Sequence, residues 1–244
     1  MELVPGMRAL EGKTAVVTGA SRGIGLAVAR AFADAGARIT MLARGVAELE
    51  ARAGEIGAAA YAMRCDLSDP DDVTHAAAAI RERLGGPPDI LVNSAGLFRL
   101  APIDATAPAD FAATLEVNLV APFRLMREFL PGMRDRRRGH VVSIGSVADH
   151  TAFPENAAYA ASKHGLRALH DVLRAELRGS GVRATLVSPG PVDTPLWDPV
   201  DPDRREGFTP RSRMLMPEAV ARTVLYAVTQ PKDVNVDLVR LSHS

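Results

Sequence analysis

Short apolar runs rich in β-branched residues alternate along the chain with longer stretches whose apolar positions recur every three to four residues. The first kind is too brief for a helix and reads as buried strand, whereas the second reads as amphipathic helix. Strands are expected at Thr14–Thr18, Arg38–Ala43, Ala58–Arg64, Asp89–Asn93, His140–Ile144, Val182–Val187 and Val234–Leu241. Helices are expected over Leu26–Ala35, Val46–Ile56, from Asp69 or Asp71 to Leu84, over Ala157–Arg178 and over Pro217–Thr229. Two more, Pro108–Val117 and Leu119–Arg134, flank Asn118, which is either a neutral kink or a polar group aimed at a site. Gly36 and Gly85-Gly-Pro-Pro88 stand where the first and third helices should stop. Strands and helices alternating at this spacing specify a parallel sheet with helices on both faces and right-handed crossovers. A single α/β domain over residues 1–244 is expected, with an extension at 1–12 and a mobile lid at 195–216.

The first strand runs into Gly19-Ala-Ser-Arg-Gly23-Ile-Gly25 and then into an alanine-rich helix. A strand, a glycine turn and a helix in that order bring backbone N–H groups and the positive end of a helix dipole to where a pyrophosphate can sit. The spacing is G-x-x-x-G-x-G, so the dinucleotide fingerprint is met in mechanism but not to the letter, and a tight turn without a ligand would look the same. At the end of the second strand, where such folds commonly carry an acid for the ribose hydroxyls, stand Ala43 and Arg44, with Arg22 in the glycine turn. Two guanidinium groups suit a 2′-phosphate and so favour NADP(H), although both also fit as solvated surface charges. Asp66 falls at a strand end, where it either binds the adenine amino group or serves as a turn or cap residue. In Asn93-Ser-Ala-Gly96, small residues let the chain pass close to a cofactor while the Asn93 amide is expected to fix the turn.

Composition narrows the function classes. Apolar residues make up 47% and charged residues 24% of the 244, as in ordinary globular domains. Basic and acidic residues number 29 each, so no whole-chain field would attract nucleic acid or an anionic membrane. The single Cys65 cannot form an internal disulfide, and the six His residues show no metal-ligand spacing, so no metal is expected. No run reaches the roughly 20 apolar residues of a membrane span. A soluble cytoplasmic protein is expected.

A hydroxyl, a phenol and an ammonium fall at Ser146, Tyr159 and Lys163, the last two one helical turn apart. An isolated pair of this kind is ordinary helix surface. Here it follows a phosphate turn, and the whole set resembles the short-chain dehydrogenase/reductase family: Thr18-Gly-Ala-Ser-Arg-Gly-Ile-Gly25 as its cofactor loop, Asn93-Ser-Ala-Gly96 as its Asn-Asn-Ala-Gly turn, Asn118, Ser146, Tyr159 and Lys163 as its catalytic four, and Pro189-Gly-Pro-Val-Asp-Thr194 as its nicotinamide loop. The resemblance implies a doubly wound Rossmann-type sheet of seven parallel strands in the order 3-2-1-4-5-6-7. It implies cofactor contacts from Gly19, Ser21, Arg22, Gly23, Ile24 and Gly25, from Arg44, Asp66 and Leu67, from Asn93, Ala95 and Gly96, from Tyr159 and Lys163, and from Pro189, Gly190, Val192 and Thr194.

Its chemistry is hydride transfer between NADP(H) and a ketone or aldehyde, reversible as oxidation of a secondary alcohol. The resemblance implies that Tyr159 exchanges the proton, that Lys163 depresses its pKa and binds the nicotinamide ribose, that Ser146 holds the carbonyl oxygen and that Asn118 anchors a relay water. Ser94 and Gly145 depart from the Asn and Ser commonly found there, and the glycine-rich tail of many members is absent. A homodimer or homotetramer is implied, through the helices at 108–134 and 157–178. The competing function is a non-catalytic NADP-binding sensor or scaffold, which would have no need of the trio. Leu97, Phe98, His150, Phe153, Asn156 and Trp197 flank the site and are expected around a small-molecule carbonyl or alcohol.

Overall fold

A computed structural model describes residues 8–244. Seven parallel strands form one sheet, β1 (Thr14–Thr18), β2 (Arg38–Ala43), β3 (Ala60–Arg64), β4 (Ile90–Asn93), β5 (Gly139–Ile144), β6 (Val182–Pro189) and β7 (Leu238–Leu241). They lie in the order β3-β2-β1-β4-β5-β6-β7, as expected. The helices are α1 (Gly23–Asp34), α2 (Val46–Ile56), α3 (Pro70–Leu84), α4 (Pro108–Leu115), α5 (Ala121–Asp135), α6 (Ala157–Glu176) and α7 (Pro217–Val228). No helix among the described residues is long and apolar enough to cross a membrane.

The period of two along each strand divides the core. Val17, Ile39, Met41, Val92, Ile144 and Val187 pack with Phe32, Leu49 and Val224 on the α1–α2–α7 face. Val16, Leu42, Leu91 and Val141 pack with Ile80, Leu125, Phe129 and Leu173 on the α3–α5–α6 face. Because β1 pairs with both β2 and β4, the chain reverses its direction of winding beside β1. That crevice, outside the carboxyl ends of the strands, is where open α/β sheets bind ligands.

Local chemistry sets the boundaries. At α3, Asp69 accepts hydrogen bonds from the N–H groups of Asp71 and Asp72, Pro70 fills the first position, and Gly85 closes the helix in the left-handed conformation. β3 starts two residues later than expected because Ala60 N–H turns back to the Gly57 carbonyl at 3.0 Å. The last strand shrinks from Val234–Leu241 to Leu238–Leu241. There the Asn235 side chain replaces a ladder rung, accepting from Ala184 N–H at 3.2 Å and donating to its carbonyl at 3.0 Å. Asn118 falls within a π-helical turn, Glu116–Val120, that joins α4 to α5 without breaking the rod. Of the expected extension, residues 1–7 lie outside the described residues; Leu10 is buried in the core and donates its N–H to Ala35 O at 2.8 Å.

Candidate active site

The glycine turn is coiled so tightly that side chains would not fit. A Cβ at Gly25 would stand 2.4 Å from Gly19 O, and one at Gly19, where φ is +65°, would stand 2.8 Å from Ala95 Cα. Arg22 precedes α1 without a side-chain cap, and the first turn holds no acid. The N–H groups of Gly23, Ile24 and Gly25 therefore open the helix at the cavity with no side chain to satisfy them.

Beside this turn, the expected role of Asn93 is corrected. Thr18 Oγ1, not the Asn93 amide, fixes the Asn93–Gly96 turn by accepting from the N–H groups of Ser94 and Ala95, each at 3.0 Å. Both amide atoms of Asn93, and Ser94 Oγ, are buried without a protein partner.

Ser146 follows β5 and caps a short 3₁₀ turn, Val147–Asp149. Its Oγ accepts from Ala148 N–H at 3.2 Å, leaving the hydroxyl hydrogen to donate elsewhere. Tyr159 lies in the first turn of α6, with Lys163 one turn on and its Nζ 5.5 Å from the centre of the phenol ring. Nζ donates to Ile144 O at 2.8 Å, which ties α6 to the end of β5. The expected depression of the phenol by Lys163 is not found. Burial, aided by the Asp149 carboxylate and opposed by the neighbouring Ser146 hydroxyl, pushes Tyr159 up to about 12. Burial also lowers Lys163, to about 8, with Asp149 working in the opposite direction.

The Asn118 amide is engaged throughout. Its Oδ1 accepts from Leu97 N–H at 2.7 Å, and its Nδ2 donates to Leu97 O at 2.9 Å and to Ser162 Oγ at 3.0 Å. Ser162 Oγ in turn donates to Tyr159 O at 2.7 Å. The side chain thus fixes the chain after Gly96 and the start of α6, and its donors are not left over for the relay water expected of it.

A cavity of about 1000 Å³ runs along the carboxyl edge of the sheet. Gly19, Ser21, Arg22, Gly23, Ile24, Gly25, Arg44, Asp66, Leu67, Ala95, Gly96, Ser146, Tyr159, Lys163, Pro189, Gly190, Val192 and Thr194 all line it, whereas Asn93 and Asn118 stand behind its wall. Arg22 and Arg44 are exposed and enter no ion pair among the described residues, although Glu48 shares their rim. Asp66 takes the turn role, its Oδ1 accepting from Ser68 N–H and Oγ, which holds its carboxyl below the usual range, and it also lines the cavity.

The family described as short chain dehydrogenase matches residues 13–205. The chain belongs to that family. A short chain dehydrogenase of Pseudocercospora fijiensis is 41% identical over 79% of this chain, which spans 63% of that protein's length. The D-threitol dehydrogenase of Mycolicibacterium smegmatis is 37% identical over 89% of this chain and 86% of its own. Among solved structures, a metagenomic short-chain oxidoreductase in complex with NADP superposes with a TM-score of 0.84 at 36% identity, covering 97% of this chain and 99% of the other. This short chain dehydrogenase is an oxidoreductase of the nicotinamide-dependent kind. Its residues fit such a cofactor: the uncapped helix start suits a pyrophosphate, and the orphaned Ser94 Oγ belongs to a residue that lines the cavity, where a polar group would satisfy it.

The other end of the dehydrogenase's cavity is aromatic. Phe98 packs edge-on against Tyr159 and Trp197, each at 4.9 Å between ring centres, and Trp197 against Phe208 at 6.3 Å. Leu97, Phe98, Phe153, Asn156 and Trp197 line it as expected, and His150 does not. Phe208, which belongs to the expected lid, is not among the residues expected around the substrate, because its segment has no periodicity to place it. The 195–216 segment expected as a lid forms two short turns, Pro195–Trp197 and Arg211–Arg213. Arg211 staples it, donating to Asp193 and Asp198 at 2.7 Å each and to Thr194 O at 3.2 Å.

Proposed function

We propose that this chain is an NADP(H)-dependent oxidoreductase that reduces a ketone or aldehyde, and oxidises the corresponding secondary alcohol, with Tyr159 as general acid and base. The convergence of Ser146, Tyr159 and Lys163 on one cavity with the glycine turn carries this reading. The cofactor would be held by the 19–25 turn, by Arg22 and Arg44, and by the 189–194 loop, and would supply hydride at the carbonyl carbon. Ser146 then donates its free hydroxyl hydrogen to the carbonyl oxygen. Tyr159, kept protonated by its raised pKa, gives that oxygen its proton as negative charge develops there. Lys163 holds α6 to β5 and keeps a positive charge near the phenol as the proton leaves. With its phenol raised to about 12, Tyr159 stays protonated near neutral pH, so its acid form is fully populated for reduction and its base form is scarce, and alcohol oxidation should rise as pH increases.

The aromatic row supports an apolar, ring-bearing carbonyl as substrate, with the 195–216 segment as its cover. Glu155 and Glu206 line this end, and Arg205, whose guanidinium lies over the Phe208 ring, is paired with Glu155. A carboxylate would meet two acids there. In a panel followed by loss of NADPH absorbance, an aryl ketone should exceed a keto acid of similar size by roughly tenfold or more in kcat/KM, the direction set by burying an unpaired charge. Absence of turnover with every carbonyl would refute the activity, and preference for the acid would refute the substrate class.

A homodimer or homotetramer is part of the proposal. Phe111, Phe123 and Val172 on α4, α5 and α6 are exposed large apolar side chains, which supports burial of these helices between copies. Light scattering should give twice or four times the 25.9 kDa chain mass, and a monomer would contradict it.

A further inference from the structure

A carboxylate that no expectation included lies directly beneath the site. Asp149 ends the 3₁₀ turn after Ser146, and its side chain is 1% exposed. Oδ2 accepts from Ser188 Oγ on β6 and from Ser146 N–H at 3.4 Å. Oδ1 accepts from His150 Nδ1 at 2.7 Å and stands 3.9 Å from Arg167 Nη1 on α6. The space it occupies exists because residue 145 is glycine: a Cβ there would stand 2.6 Å from Asp149 Oδ2 and 2.7 Å from Ser188 Oγ. Gly145, noted above only as a departure at the strand end, thus makes room for a buried charge.

We propose that Asp149 is a positioning residue for the reaction, its buried carboxylate locking the Ser146 turn onto β6 and supplying the negative charge in which Tyr159 and Lys163 work. The titratable and charged groups facing it are Tyr159, Lys163 and Arg167 from α6 and His150 from its own turn; β6 contributes the neutral Ser188. Asp149 raises the pKa of both Tyr159 and Lys163, so it favours the protonated phenol and the ammonium together, the two forms needed for carbonyl reduction. Arg167 and His150 hold the carboxylate in place from the far side.

The role rests on the proposed reductase activity, so one readout must stand apart from turnover. The chain has three lysines, at positions 13, 163 and 232, so in protein carrying ¹³C,¹⁵N-lysine the Lys163 side-chain signal is assignable by its loss in Lys163→Arg. Asp149→Asn keeps the shape and removes the charge. Its Lys163 signal should titrate about half a pH unit or more below the wild-type value, and the basic limb of kcat/KM for NADPH-dependent reduction should move with it. Ser188→Ala, which removes a hydrogen bond and keeps the carboxylate, should leave the Lys163 titration near wild type; it also serves as the folded comparison should Asp149→Asn not fold, because a Lys163 shift in it as large as half a unit would tie the effect to packing and overturn the proposal. An unchanged Lys163 titration in folded Asp149→Asn would overturn it as well. A wild-type enzyme that reduces no carbonyl, with Lys163 still shifted in Asp149→Asn, would refute the reductase reading and uphold the charge coupling.

Discussion

Tyr159→Phe is expected to lower kcat for carbonyl reduction by about 10²–10⁴-fold, the usual contribution of a positioned general acid. The substitution removes one oxygen from a ring whose packing would remain. Phe98 touches that ring edge-on, and Lys163 keeps its bond to Ile144 O, so α6, the end of β5 and the cavity wall should hold their places. NADPH affinity, measured by fluorescence titration, should change by no more than a few fold, and thermal unfolding should show a folded protein. Because the lost group acts as charge develops on the carbonyl oxygen, kcat and kcat/KM should fall together. The raised phenol adds a pH signature. Wild-type reduction should not lose Tyr159's proton anywhere near neutral pH, whereas alcohol oxidation should still be climbing at the alkaline end of the stable range. A Phe variant that keeps a tenth of wild-type kcat would remove Tyr159 from the role of acid.

Why Tyr159 could be found in the sequence and Asp149 could not is a matter of range. The central strands announce themselves because they are buried on both faces and read as short apolar runs, as in β1, where all five residues are buried, whereas the edge strands β3 and β7 are only partly covered. The glycine turn is equally legible, since its constraint is a backbone contact between Gly25 and Gly19, six residues apart. Tyr159 and Lys163 share one helix, so their spacing alone puts them on one face. The hidden features depend on partners far along the chain. Thr18 reaches Ser94 and Ala95, Asn118 reaches Leu97 and Ser162, and Asp149 reaches Ser188, and no local pattern marks such pairs. The sign of the Tyr159 shift was missed for a related reason. Spacing reveals a neighbouring ammonium but not how deeply the phenol is desolvated, and here desolvation, aided by Asp149, sets the direction of the shift.

Arg44→Asp is expected to reverse the cofactor preference, changing the ratio of kcat/KM for NADPH to that for NADH by about 10²-fold. Hydrogen bonds to charged groups contribute roughly 1.5–3 kcal/mol each, and a new carboxylate adds repulsion of a 2′-phosphate to the lost attraction. Arg44 stands just past β2 on the cavity wall, near enough to Asp66 to help lower its pKa, and Arg22 faces the same rim from the glycine turn. Neither arginine is committed to an ion pair among the described residues, so both are available to a ligand. Both are also exposed, which tempers the effect: the preference of the wild-type enzyme should weaken as salt screens the rim. Glu48 at that rim works against a phosphate, and Glu48→Gln should therefore sharpen the preference for NADPH while leaving NADH kinetics nearly unchanged. Since Arg44 touches none of the reacting groups, kcat with saturating NADH should survive the Asp substitution. Equal kcat/KM for the two cofactors in the unmodified protein would mean that the arginines are solvated surface charges and that the 2′-phosphate is read nowhere on this rim.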